Sequence, residues 1–69
     1  MMSKEIRREY KHGREKNIFL RVDAKTGTYF LEKITKGCGF TIAAGTETQV
    51  TSYIEKNGYK FVGLCVMRR

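Results

Sequence analysis

The sequence contains no proline, a single histidine, two cysteines and half as many acidic as basic residues. Without proline, nothing interrupts residues 3–16 or 59–67 as helix or strand. Cys38 and Cys65 form no C-x-x-C pair, and His12 is the one further soft ligand. A structural zinc site takes four ligands at closer spacing, so neither a metal nor a cofactor is expected. The thiols read as reduced and mostly buried, and a bridge between them suits only an oxidising compartment. Long apolar runs are missing as well. Hydrophobic residues make up 41% of the chain, too many for a disordered chain and too interrupted for a membrane span. Met1 to Tyr10 carries charges where a signal peptide needs an apolar segment. The expectation is a soluble, folded, cytoplasmic protein with no membrane partner.

The scarcity of acid has the largest functional consequence. Fourteen Lys and Arg against seven Asp and Glu give a net charge of +7, which favours polyanionic partners through the long-range field and counterion release. DNA or RNA comes first and an acidic protein second. At 69 residues there is room for one domain, residues 1–69, with one modest core. Its stability is expected to be marginal or completed by self-association.

The clearest structural unit is Thr46 to Met67. Thr46-Glu47-Thr48-Gln49 fits a capping box, in which the Thr46 hydroxyl accepts from the Gln49 N–H and the Gln49 amide reaches back. Val50, Tyr53 and Ile54 then share a helix face. Gly58 supplies a left-handed stop after Asn57. Residues 59–67, rich in aromatic and β-branched side chains, read as the central strand. Upstream, residues 3–16 read as a helix or a partly disordered arm. As a helix they align Lys4, Arg7, Arg8, Lys11 and Arg14 in a basic stripe beside a narrow apolar stripe of Met2, Ile6 and Tyr10.

Asn17 to Asp23 and Thr28 to Ile34 alternate as strands of a hairpin. A three-residue loop, Lys25-Thr26-Gly27, places Val22 opposite Phe30 and gathers Phe19, Arg21, Tyr29, Leu31 and Lys33 on the other face. Two aromatics among cations suit base stacking with phosphate neutralisation. The competing reading covers that face with the first helix and makes Phe19 and Tyr29 plain core. Thr35 to Gly39 is a loop, and Phe40 to Ala44 a third strand. The expected fold class is α+β: a small antiparallel sheet in the order (α)βββαβ, with the 46–57 helix packed on one face.

Catalytic motifs are weak. Gly37, Gly39 and Gly45 are misspaced for a phosphate loop and no lysine follows them. Glu47 already answers the N-terminal dipole of the Thr46 helix. His12 is the one ordinary general base near neutral pH, so an enzymatic alternative is a small nuclease-like toxin using His12 with Lys11 or Arg14. Asn57-Gly58-Tyr59-Lys60-Phe61-Val62 resembles the aromatic strand of the RNA recognition motif, with Lys60 where that family has a small residue. Glu55-Lys56-Asn57-Gly58-Tyr59 is similar to a helix–strand junction of HicA-type mRNA interferase toxins, whose Gly-Ser-His motif has no counterpart here. Each covers only a few residues, and an ordinary helix-to-strand turn explains both.

The leading expectation is a small nucleic-acid-binding protein of regulatory or accessory role and no catalytic site. Phosphate contacts fall to Lys4, Arg7, Arg8, Lys11 and Arg14, sheet cations to Arg21 and Lys33, stacking to Phe19 and Tyr29, and a basic tail to Arg68 and Arg69. The alternative is a protein-binding accessory or inhibitor acting by its basic face or a β-edge, with a homodimer through residues 59–67 as a further option.

Overall fold

The computed structural model describes the backbone of residues 4–68 and the side chains of residues 6–66. Five strands and one helix follow in order: β1 (Lys4–His12), β2 (Glu15–Asp23), β3 (Thr28–Thr35), β4 (Cys38–Gly45), α1 (Glu47–Lys56) and β5 (Lys60–Arg68). The strands form one antiparallel sheet in the order β4-β3-β2-β1-β5. The α+β expectation holds at this level, with strand predominating.

The first helix does not form; its residues are β1. Met2, Ile6 and Tyr10 recur every four residues, a spacing that satisfies a helix and a strand equally. Gly13-Arg14 then joins β1 to β2 as a two-residue loop, with Gly13 at φ 61, the glycine-first pattern of a II′ hairpin. As a strand β1 alternates, so Arg7 and Arg8 point to opposite faces and the basic stripe is dissolved. Residues 59–67 also differ from expectation. They belong to an edge strand, because β1 takes the place beside β2 and leaves β5 with one neighbour.

The β2–β3 register differs by one residue. Asp23 pairs with Thr28, Val22 with Tyr29 and Leu20 with Leu31. The loop has four residues because Asp23 closes it twice: its backbone carbonyl accepts from the Gly27 N–H at 2.7 Å and its carboxylate from the Lys25 N–H at 2.9 Å. This register puts Ile18, Leu20 and Val22 on one side with Tyr29 and Leu31, and leaves Phe19 and Phe30 on the other. Phe19 and Tyr29 accordingly lie on opposite faces. The β3–β4 connection is tighter than expected, with Lys36 (φ 52) and Gly37 (φ 81) as a two-residue turn of type I′ sign.

α1 begins with the capping box intact. Gln49 N–H donates to the Thr46 hydroxyl at 3.2 Å and Thr46 N–H to the Gln49 amide oxygen at 2.9 Å. The helix crosses from β4 toward β5 over β3 and β4, burying Val50 and Ile54 against Tyr10, Ile18, Leu20 and Leu31. Each such side chain contributes about 1.5–3 kcal/mol. The β1–β5 half of this face is uncovered: Ile6, Phe61, Leu64 and Val66 are all exposed. The opposite face carries no helix and is closed by side chains of the sheet. Phe19 is 7% exposed there, with Glu9 and Glu32 as cross-strand neighbours. The stems of such long side chains are the apolar cover this face offers.

Cys38 is exposed and Cys65 half-buried, rather than mostly buried as expected, and they lie on β4 and β5, the two edges of the sheet. Four strand spacings, about 19 Å, separate those edges, which excludes a bridge between them.

Candidate nucleic-acid interface

One end of the sheet collects most of the positive charge among the described side chains, and connectivity dictates it. The end of β1, the start of β2, the β3–β4 turn, the end of α1 and the start of β5 all meet at that end. They bring Lys11, Arg14, Lys16, Lys33, Lys36, Lys56 and Lys60 to one rim, where the carboxylates are Glu15 and Glu55. All of these cations except the half-buried Lys33 are exposed. Lys11 stands directly across from Lys60. Like charges so placed repel.

Aromatic rings stand within this rim. The His12 ring stacks on Tyr59 with centroids 4.6 Å apart and planes at 28°, and Tyr59 lies 6.0 Å from Tyr53. Local geometry places each ring. α1 ends in a Schellman arrangement: Tyr59 N–H donates to the Ile54 carbonyl at 3.0 Å and Gly58 N–H to the Glu55 carbonyl at 3.3 Å, with Gly58 at φ 77. That turn folds Tyr59 back beneath the helix, beside the core. His12 comes from β1, whose pairing with β2 is irregular between Tyr10 and His12. The extra β2 residue lies around Asn17, at φ 62, and such a bulge re-aims its neighbours. Glu15 is thereby set on the side of Lys33, whose Nζ it binds at 2.8 Å. That ion pair holds the Glu15 carboxyl below the usual carboxylate range, assisted by His12. Burial pushes the Tyr59 hydroxyl up, with Tyr53 and Glu15 adding to the effect.

The residues expected from sequence divide five ways. Lys11, Arg14 and Lys33 join the rim. Arg8 stands exposed on the helix side, facing Leu64 across the β1–β5 ladder. Arg7 and Arg21 lie on the far face and converge on Glu32: Arg21 binds it through two nitrogens at 3.0 and 3.1 Å, and Arg7 through one at 3.5 Å. Arg21 also stacks over Phe30 at 4.3 Å. These two cations serve an internal network rather than an open phosphate surface. Phe19 is buried, and the Tyr29 hydroxyl donates to Glu47 at 3.3 Å at the other end of the sheet. The paired stacking surface expected of Phe19 and Tyr29 is therefore not formed. The backbones of Lys4 and Arg68 are in β1 and β5 while their side chains lie outside the described residues, as does all of Arg69.

Sequence reasoning missed His12, Tyr53 and Tyr59 as a group, together with Lys16, Lys36, Lys56 and Lys60. Tyr53 read as core with Val50 and Ile54, yet it is 36% exposed. The available signal was Lys56-Asn57-Gly58-Tyr59-Lys60, a helix stop bracketed by cations. Among the described residues no three His, Cys, Asp or Glu side chains converge on a metal position, and no helix is long and apolar enough to cross a membrane.

Comparison with protein-family models, with curated proteins and with solved structures yields no match to this chain.

Proposed function

We propose that the protein binds nucleic acid at this rim, with phosphates held by Lys11, Arg14, Lys16, Lys56 and Lys60 and an unpaired base stacked on the exposed aromatic edge. The observation that carries the reading is the stacked His12–Tyr59 pair, extended by Tyr53, inside a ring of exposed cations. Cations alone suit any polyanion. Aromatic faces among them suit bases, because stacking needs only a π-face and is tolerant of sequence. The chain's excess charge steers any such partner inward. The binding is of low sequence selectivity, a regulatory or accessory role rather than operator readout.

Fluorescence anisotropy with single- and double-stranded DNA and RNA tests this. Binding should weaken with salt, and Lys11→Ala, Arg14→Ala and Lys60→Ala should each reduce the logarithmic salt slope by about 0.7–0.9. Tyr53→Ala should cost about 1–3 kcal/mol on single strands and little on duplex. Absence of association with all four polymers at low salt defeats the proposal, as does full affinity in the triple variant.

A further inference from the structure

We infer that two copies of this chain join through their β5 strands, antiparallel about Leu64, to form a continuous sheet of twice the width. β5 is a nine-residue strand with one hydrogen-bonded neighbour. Its other side is a row of backbone donors and acceptors available to another strand. Natural edges are ordinarily blunted by inward-pointing charge, proline or a covering element. Between Lys60 and Arg68 this edge has neither charge nor proline, and α1 packs over β3 and β4 instead. The other edge, β4, is treated differently, with α1 packed against it; each edge strand carries one bulge, at Ile42 in β4 and at Val62 in β5, which leaves Gly63 to Arg68 as the regular part of the open edge.

The side chains agree with the backbone. Phe61 is 57% exposed, Val62 53%, Leu64 69% and Val66 56%, with Ile6 beside them on β1 at 66%. They border an apolar trough of about 510 Å³ lined by Arg8, Tyr10, Phe61, Gly63 and Leu64. These exposures leave on the order of 500 Å² of apolar surface in water, close to the largest patch an ordinary monomer carries. Edge pairing buries the open backbone side of β5 and the flanks of Phe61, Val62, Leu64 and Val66, while Ile6 stands one strand further in, so the interface lies at the small end for specific association.

Charge identifies the occupant. A chain of net charge +7 offers an acidic partner many cations, yet none between residues 61 and 67 of this edge. An uncharged strand of matching length suits it, and β5 is such a strand. Pairing about Leu64 opposes Val62 to Val66 of the partner subunit and Gly63 to Cys65 of the partner subunit. Like charges meet only at the fringes. The antiparallel arrangement also sends the two basic rims to opposite ends of the joined sheet, so their repulsion is screened.

Light scattering on the whole chain from low micromolar to millimolar concentration tests this. The mass is expected to rise from 8.0 kDa to twice that value. Leu64→Glu and Leu64→Lys each set two like charges face to face across the axis and should remain monomeric, whereas an equal mixture of the two should dimerise. Leu64 is largely exposed, so both variants should keep the wild-type circular dichroism. In the wild type, amide exchange along Lys60–Arg68 should slow with concentration, while exchange along β4 should not. A mass of 8.0 kDa at every concentration, a wild-type-like dimer in either single variant, or a mixture that stays monomeric overturns the inference.

Discussion

Glu32 is the residue on which the helix-free face depends. It accepts from Arg21 through both oxygens and from Arg7 through one, and Arg7 is 7% exposed. Glu32→Gln withdraws the negative charge while both guanidinium groups stay, so it should lower unfolding free energy by about 1–3 kcal/mol, measured by urea denaturation. Tyr59 gives a second test. Its hydroxyl titrates above the ordinary tyrosine value because the fold disfavours the charged form. A group with a raised folded pKa lends stability that is complete below the unfolded value and is lost as pH rises through the folded one. Thermal stability should therefore fall as pH rises past about 10, and by less in Tyr59→Phe, which keeps the ring on His12. Equal alkaline loss in both proteins would sink this assignment.

At the scale of elements, α1 is the piece most completely written in local sequence. Its start is the reciprocal Thr46–Gln49 pair and its stop is Gly58, each a few residues long and independent of partners. Thr46→Ala should cost about 1 kcal/mol, read as a lower melting temperature. Gly45 enters the same device: at φ 153 any added Cβ would press on the Gln49 side chain, so the capping box requires glycine before it. β1 is the opposite case. Ile6 and Tyr10 four residues apart fit either period, and good helix formers filled the rest of the segment. What decided for strand was the neighbour on each side: β2 across the Gly13-Arg14 turn and β5 from the far end of the chain. The Asp23 loop belongs between these cases. Its four-residue closure is local, but a three-residue alternative was equally permissible until Ile18 and Leu20 had to share a face with Tyr29 and Leu31.

For the whole molecule, the sheet order separates three surfaces. α1 and the half-sheet beneath it make the core, the basic rim lies at one end of the strands, and the uncovered β1–β5 half meets the open edge. Because the rim runs across strand ends and the edge runs along β5, the proposed association of two copies and the proposed binding of nucleic acid would draw on mostly different residues. A joined dimer would offer a nucleic acid two rims at opposite ends, which favours longer polymers through effective concentration.

The sequence by itself determined the helix from cap to stop, the strand character of residues 17–23 and 28–34, and the excess of positive charge. Those features depend on hydrogen bonds, periodicity and formal charge within short spans of chain. Tertiary structure alone decided that residues 4–12 are strand, that Phe19 and Tyr29 face apart, and that residues 60–68 lie at an edge. It also decided that Arg7 and Arg21 are spent on Glu32 while His12, Tyr53 and Tyr59 meet among lysines. The reason is that strand partners and cross-sheet neighbours come from distant positions, so a side chain's surroundings follow from pairing that no local pattern encodes.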